Sequence, residues 1–265
     1  MTLSAPHAHP FDAVADGYDA AFTDRRLGRW LREIVRERME QAFEPGQHVL
    51  ELGCGTGEDA VWLARRGVSI TATDASPGML DVTRRKAEAA GVGDRITTRL
   101  LDLTMPVTGG DTGYDGAYAN FGPLNCVEDR RALAGDLARL VRPGGKLVFV
   151  VMGPVCPWEV VWFTARLKPR TAIRRFRSGN EARVGEGTLR VWYPSHRRLQ
   201  RELAPHFRTV EVAGVGMLLP PSEMGRLVDR APRFFERVAA IDRRLAGTLP
   251  WRWFNDHYLM VLERR

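Results

Sequence analysis

The sequence has little of several things that would settle its class outright. It holds three cysteines in 265 residues. Cys54, Cys126 and Cys156 show neither a C-x-x-C pair nor a metal spacing, which argues against a disulfide framework and against a metal site. No apolar run approaches the ~18 residues that a membrane-spanning helix requires. No basic segment precedes an apolar core near the start, so no secretory leader is expected. A cytoplasmic protein without a transmembrane segment is the resulting expectation. The Gly-Lys-Ser/Thr of a P-loop is missing, which disfavours nucleoside triphosphate chemistry. The G-x-G-x-x-G of dinucleotide sites is missing too, because Gly53, Gly55 and Gly57 alternate and position 58 is glutamate. No internal repeat is found.

What is present is ordinary for a globular chain, with 44% hydrophobic and 27% charged residues. The length suits one large α/β domain, or one domain with an added lobe. The net charge of +7 has two readings: arginines on solvated helix faces, or a basic face for nucleic acid, an anionic membrane or an acidic substrate.

The informative stretch is residues 48–80. A short apolar run at 48–52 breaks into Gly53-Cys54-Gly55-Thr56-Gly57, an amphipathic run follows, and a second apolar run at 68–73 ends at Asp74. Strand, glycine turn, helix, strand and acid are one half of a doubly wound α/β domain. The glycines allow a tight turn and a close ligand. Asp74, at a strand's carboxyl end, can accept hydrogen bonds from a ribose diol, and open α/β sheets bind ligands at that edge. Glu51, just before the turn, suits a ligand with a positive end.

Further along, Ser76-Pro77 starts a helix. Residues 95–101 form a third strand closing at Leu101-Asp102-Leu103, where Asp102 can accept from an adenine amine and Leu103 can meet the ring. A turn at 108–111 precedes a fourth strand at 114–119, followed by the loop Asn120-Phe121-Gly122-Pro123. A helix at 128–141, the turn Pro143-Gly144-Gly145 and a fifth strand at 146–151 come next. Before the core, Phe11, Val14, Ala15 and Tyr18 recur with a helical period, and residues 27–43 form a clear amphipathic helix.

The segment ELGCGTGEDAVWLARRGVSITATDASPGML, with Asp74, Asp102 and Pro143-Gly144-Gly145 in order, resembles the class I S-adenosylmethionine-dependent methyltransferases. The resemblance implies a doubly wound, seven-stranded, mostly parallel sheet of Rossmann-like type. It also implies S-adenosyl-L-methionine as cofactor, with S-adenosyl-L-homocysteine as product. The opening Phe-Asp…Tyr-Asp pattern is similar to a flap whose tyrosine, here Tyr18, closes on the cofactor. Cofactor contacts are expected from Tyr18, Glu51, Gly53, Gly55, Asp74, Met79, Asp102, Leu103 and Asn120.

Residues 153–204 exceed what the core needs and are expected to form a helical lid or small lobe after the fifth strand, with a hairpin near 182–193. The expected organisation is residues 1–44 as N-terminal helices and flap, 45–152 as the cofactor core, 153–204 as the substrate lobe and 205–265 as the last strands with helices between. Trp158, Trp162 and Tyr193 are expected to wall an apolar substrate, or else to form the lobe's own core. His196, between the lobe and the sixth strand, is the first candidate base. His257, in the pair Asp256-His257 at the last strand, is the second. Catalysis by proximity alone needs neither.

The expected reaction is methyl transfer to a small molecule, a hydroxyl of an aromatic or lipophilic metabolite of secondary metabolism. The alternatives are N-methylation of a sugar or amine, an RNA methyltransferase, and a scaffold that binds the cofactor without methylating. Asn120-Phe121-Gly122-Pro123 departs from the Asn/Asp-Pro-Pro-Tyr/Phe of nucleobase amino-methyltransferases, and no RNA-binding motif is found. A nucleic-acid partner is therefore not expected. Weak contact with a membrane surface through residues 158–177 is allowed, and the chain is expected to be a monomer or homodimer.

Overall fold

The computed structural model describes residues 9–107, 111–221, 224–248 and 253–265. The start of the chain, most of the turn expected at 108–111, the helix start expected at Ser222 and Trp251 lie outside the described residues.

Helix α1, Arg26–Ala42, buries Leu27, Leu31, Ile34, Val35 and Met39 along one stripe, the spacing that turns one helical face inward. Strand β1, His48–Leu52, is buried on both faces, and so is β2, Ser69–Asp74. Helix α2, Glu58–Ala64, crosses between them. Ser76 caps α3, Pro77–Ala89, by accepting from the Met79 amide, with proline in the first turn. Strand β3 is Ile96–Leu100 and β4 is Tyr114–Ala119. Helix α4, Arg130–Leu140, starts later than expected because Asp129 caps it, accepting from the Arg131 and Ala132 amides. Strand β5, Val141–Met152, starts earlier than expected: Val141 pairs with Tyr114 before the glycine turn shifts the register.

The added segment is of mixed type. Helices α5, Pro157–Ala165, and α6, Pro169–Ala172, are followed by a hairpin of β6, Asn180–Val184, and β7, Gly187–Val191, which forms its own two-stranded sheet. Helix α7, His196–Leu203, is capped by Ser195 as expected. Strand β8, Phe207–Val215, helices α8, Gly225–Arg230, and α9, Pro232–Leu245, and strand β9, His257–Arg264, complete the chain.

The main sheet has seven strands in the order β3-β2-β1-β4-β5-β9-β8. β1 to β5 pair in parallel, and β9 runs antiparallel to both neighbours. This is the mostly parallel, doubly wound sheet that was expected. The chain reverses direction across the sheet between β1 and β4, the switch point where such sheets hold ligands. One core cluster gathers residues of α1, α2, α3, α8 and α9 on one face, and a second gathers α4 and α7 on the other. Among the described residues no helix is long and apolar enough to cross a membrane.

The N-terminal segment differs from the regular helix expected. Residues Asp12–Gly17 wind as a 3-10 helix and Asp19–Thr23 as a π-helix. Both are short and uncapped by side chains, so tertiary bonds from Asp12 and Asp19, described below, set their winding.

Candidate functional site

The carboxyl edge at the switch point is built from the glycine turn, the end of β2, the loop after β4 and the N-terminal segment. Gly53 has φ +69°, and a Cβ there would stand 2.4 Å from Pro123 Cγ, so the glycine turn and the β4 loop meet only because position 53 has no side chain. Gly55 has φ +53° and open space where a Cβ would point. Asp74 ties the turn: its Oδ2 accepts from the Gly55 amide at 2.9 Å and its Oδ1 from the Ser76 amide at 2.9 Å. Burial pushes the Asp74 carboxyl above its usual range, against the pull of these amides. Asp102 is exposed, with Oδ1 accepting from the Thr104 amide and hydroxyl. Burial, followed by the charges of Asp74 and Asp102, pushes the Cys126 thiol up to about 11. Met79 is buried outside both core clusters, and Leu103 is half-buried.

The N-terminal segment is latched over this edge. Asp12 Oδ1 accepts from Ser76 Oγ at 2.5 Å and from the Gly78 amide at 3.0 Å. Asp19 accepts from Thr56 Oγ1 at 2.6 Å and from Lys86 Nζ at 2.6 Å. Tyr18, between the two latches, packs edge-on to Phe11 at 6.2 Å. Burial raises its phenol, and Arg32 and Asp74 are close enough to act on it.

Behind the turn lies a polar cluster. Asp59 is ion-paired with Arg32 and Arg36, and its Oδ2 accepts from Asn120 Nδ2 at 3.0 Å. Burial would raise Asp59, but the two arginines outweigh it and hold the carboxyl below its ordinary range. The Arg32 guanidinium lies 5.6 Å from the Phe22 ring centre and 5.3 Å from that of Phe121. Phe121 carries φ +57°, a strained conformation for an aromatic residue that is common where a site demands it. Glu51 has no ion pair of its own: burial, then the charge of Asp59, pushes its carboxyl up to about 8, against the weaker pull of the Tyr118 hydroxyl and Arg32. Among the described residues Glu51 Oε2 and Asn120 Oδ1 are buried without hydrogen-bond partners.

The second half of the edge comes from the last strand and the added lobe. His257 is paired with Met152 at the carboxyl end of β5, and its ring lies 5.5 Å from that of Phe121. Its Nδ1 is 3.1 Å from Asp256 Oδ2, off the direction of a hydrogen bond. Arg175, from the lobe, donates to Asp256 Oδ1 at 2.6 Å, to Glu159 Oε1 at 2.5 Å and to the carbonyls of Gly153 and Asp256. Ligand atoms of Cys156, Glu159 and Asp256 lie within 4.8 Å of one another, but the guanidinium already bridges the two carboxylates, so the group is an ion-pair cluster.

His196 is on the other side of β9. Its ring packs at 6.1 Å against that of Tyr258, which belongs to the second core cluster, whereas His257 faces Phe121 and the first. The two candidate bases are therefore separated by the sheet. Trp158 donates to the Leu218 carbonyl and packs against Phe235 of α9. Trp162 lies under the Arg166 guanidinium at 3.3 Å, and Tyr193 under that of Arg175 at 5.1 Å.

Sequence reasoning did not find Arg32, Asp59, Glu159 or Asn125. Asn125 bridges Met152 and Trp192 by three hydrogen bonds and joins the hairpin to the sheet edge. Asp59 stands in the first turn of α2, where an acid has a local reason to be. Its partner Arg32 is 27 positions away, and no local signal links them.

A family described as "Methyltransferase domain" matches residues 49–145. The demethylmenaquinone methyltransferase of Corynebacterium glutamicum (strain R) is 33% identical over 203 residues, spanning 74% of this chain and 82% of that protein. The O-methyltransferase resE of Aspergillus sclerotiorum is 31% identical over 166 residues, 56% of this chain and 62% of that protein. The crystal structure of an S-adenosylmethionine dependent methyltransferase from Mesorhizobium loti shares the fold with a TM-score of 0.55 at 20% identity, over 90% of this chain and 97% of that one.

Proposed function

The chain belongs to the class I S-adenosylmethionine-dependent methyltransferases, and from that footing we propose that it methylates a hydroxyl of an aromatic or lipophilic small molecule. The observation that carries the proposal is the pair His257 and Phe121 at the carboxyl edge, beside the cofactor cleft and at the root of an aromatic-rich lobe. The name of the Aspergillus relative as an O-methyltransferase supports a hydroxyl acceptor, and that of the Corynebacterium relative supports a quinone-like lipophile.

The residues fit the cofactor. The buried, unpartnered Glu51 Oε2 and Asn120 Oδ1 suit a site completed by an ammonium group. The open side of Gly55 leaves room beside the turn. Asp74 spends one acceptor position of each oxygen on the amides of Gly55 and Ser76, and a carboxylate has about four, so it would hold the ribose hydroxyls as well. Asp102 would take the adenine amine, with Met79 and Leu103 against its faces, and Tyr18 would close the mouth. When bound, S-adenosylmethionine supplies an electrophilic methyl on a sulfonium centre. The chain's part is to align the acceptor with it and exclude water.

His257 is favoured over His196 as the base. Its Nδ1 side is held near Asp256, which leaves Nε2 to accept the hydroxyl proton. Trp158 and Tyr193 would wall the acceptor. His257→Ala should lower kcat by roughly 10²–10⁴, with cofactor affinity unchanged. His196→Ala should leave kcat close to that of the unaltered enzyme. If the two variants behave the other way round, the assignment fails.

Glu51 supplies a separate check on the ammonium site. With a carboxyl near 8, it holds its proton at neutral pH until a cation arrives, and an adjacent ammonium favours the ionised form. Calorimetry at neutral pH, in buffers differing in ionisation enthalpy, should show about one proton released per cofactor bound. Glu51→Gln should release none. Identical heats in all buffers for the unaltered chain would remove Glu51 from this role.

A further inference from the structure

Residues 157–177 contain one acid, Glu159. It is buried and bound to Arg174 and Arg175. Four further cations in the stretch, Arg166, Lys168, Arg170 and Arg177, are exposed. Among the described residues no carboxylate pairs with them. The same stretch exposes Val161 at 68%, Leu167 at 90%, Ile173 at 50% and Phe176 at 61%.

Leu167 is the most telling. It sits between α5 and α6 with φ +56°, a conformation that favours glycine or asparagine. A leucine there meets neither a local backbone preference nor a packing need, since its side chain stands in water. Trp162 lies nearby beneath the Arg166 guanidinium, an aromatic body with a cationic tip, the amphipathic kind of group that settles at a membrane boundary.

The lobe is anchored where substrate would enter. Arg175 bonds the carbonyls of Gly153 and Asp256, next to His257. A surface that touches the outside world at Leu167 and Phe176 is thus tied, through one short segment, to the acceptor side of the site.

We propose that this face of the lobe docks on an anionic phospholipid bilayer, and that the enzyme takes its lipophilic acceptor from that bilayer. The second half rests on the lipophilic acceptor proposed above; the docking itself does not. Charge complementarity names the partner: unpaired cations are drawn to anionic headgroups, and the interleaved aliphatic side chains enter the acyl boundary. RNA fits less well, because three of the four exposed apolar side chains, Val161, Leu167 and Ile173, are aliphatic and give a base no ring to stack on, which leaves Phe176 alone among them.

The test uses the full chain with vesicles of phosphatidylcholine alone or mixed with phosphatidylglycerol. Co-sedimentation should favour the anionic vesicles by roughly tenfold or more and weaken as salt is raised. Leu167→Ser with Phe176→Ser, and separately Lys168→Glu with Arg170→Glu, should each reduce partitioning by roughly tenfold or more. All four positions are exposed, and calorimetric cofactor affinity, unchanged in both double variants, certifies the fold. No sedimentation with anionic vesicles, equal sedimentation with both vesicle types, or double variants that bind like the unaltered chain would each overturn the docking proposal. Retention of single-stranded RNA without vesicle binding would overturn it as well. Cofactor calorimetry on the same preparations tests methyl transfer separately, so failure of one reading is distinguishable from failure of the other.

Discussion

Replacing Asp74 by alanine is expected to weaken S-adenosylmethionine binding roughly 10- to 100-fold, because hydrogen bonds to a charged group contribute about 1.5–3 kcal/mol. The carboxylate has two tasks. It holds the glycine turn through the Gly55 amide and the start of α3 through the Ser76 amide, each at 2.9 Å. The proposed third and fourth bonds reach the ribose. Alanine removes all of them and leaves two amides to find water. Asp74→Asn should recover part of the loss, since the amide oxygen can still accept while its NH₂ cannot. Titration calorimetry separates the cases. Affinity within twofold of the unaltered enzyme for the alanine variant would remove Asp74 from the cofactor site, whatever the turn does.

Replacing Arg175 by methionine is expected to be the most damaging substitution for stability. Arg175, Glu159 and Asp256 are all buried, and Arg175 is the cation that meets Asp256 Oδ1. Glu159 retains Arg174, but among the described residues the ionisable group left beside Asp256 is the neighbouring imidazole. Breaking a buried ion pair by removing one partner costs about 3–5 kcal/mol. For a chain of this size that lowers Tm by about 5–9 °C. Arg175→Lys should be intermediate, because an ammonium cannot bridge two carboxylates and two carbonyls with one planar fork.

The pH dependence has a definite sign. Burial alone would raise Asp256 and Glu159, but their cationic partners hold both carboxyls below the ordinary range. Their contribution is therefore complete above the usual carboxylate pKa of about 4 and is lost as pH falls below it. The gap in Tm between Arg175→Met and the unaltered chain should narrow in acid. Glu51 works the other way: its carboxyl is raised to about 8, so its contribution is complete in acid and is lost as pH rises through that value. A gap that widens in acid would mean that Arg175 does not act through these carboxylates.

Much of the fold was legible because its signals are local. A five-residue buried strand, alternating glycines, a capped helix and an acid at a strand end are each set by a few neighbouring residues. β1, β4 and the start of α3 fall where the sequence placed them. The N-terminal segment was less legible. A helical period predicted a helix from Phe11, yet the winding is decided by where Asp12 and Asp19 find partners on α3 and the glycine turn. The lobe was legible as an addition with helices and a hairpin near 182–193, and β6 and β7 form that hairpin at Asn180–Val184 and Gly187–Val191.

The choice between the two histidines shows the limit most clearly. His196 and His257 are equivalent as residue types, and chain position alone ranked His196 first. Their separation by β9 depends on strand parity: His257 and Leu259 face one side, Tyr258 and Met260 the other. Sequence alone determined the cofactor half of this protein, because a glycine turn and the acids at strand ends are forced by backbone geometry shared by every such sheet. Tertiary structure alone decided the half proposed to meet the acceptor. Arg175, Asp256, Phe121 and His257 converge there from a lobe, a loop and the last strand, and contacts between elements so far apart in the chain leave no periodic or local trace in it.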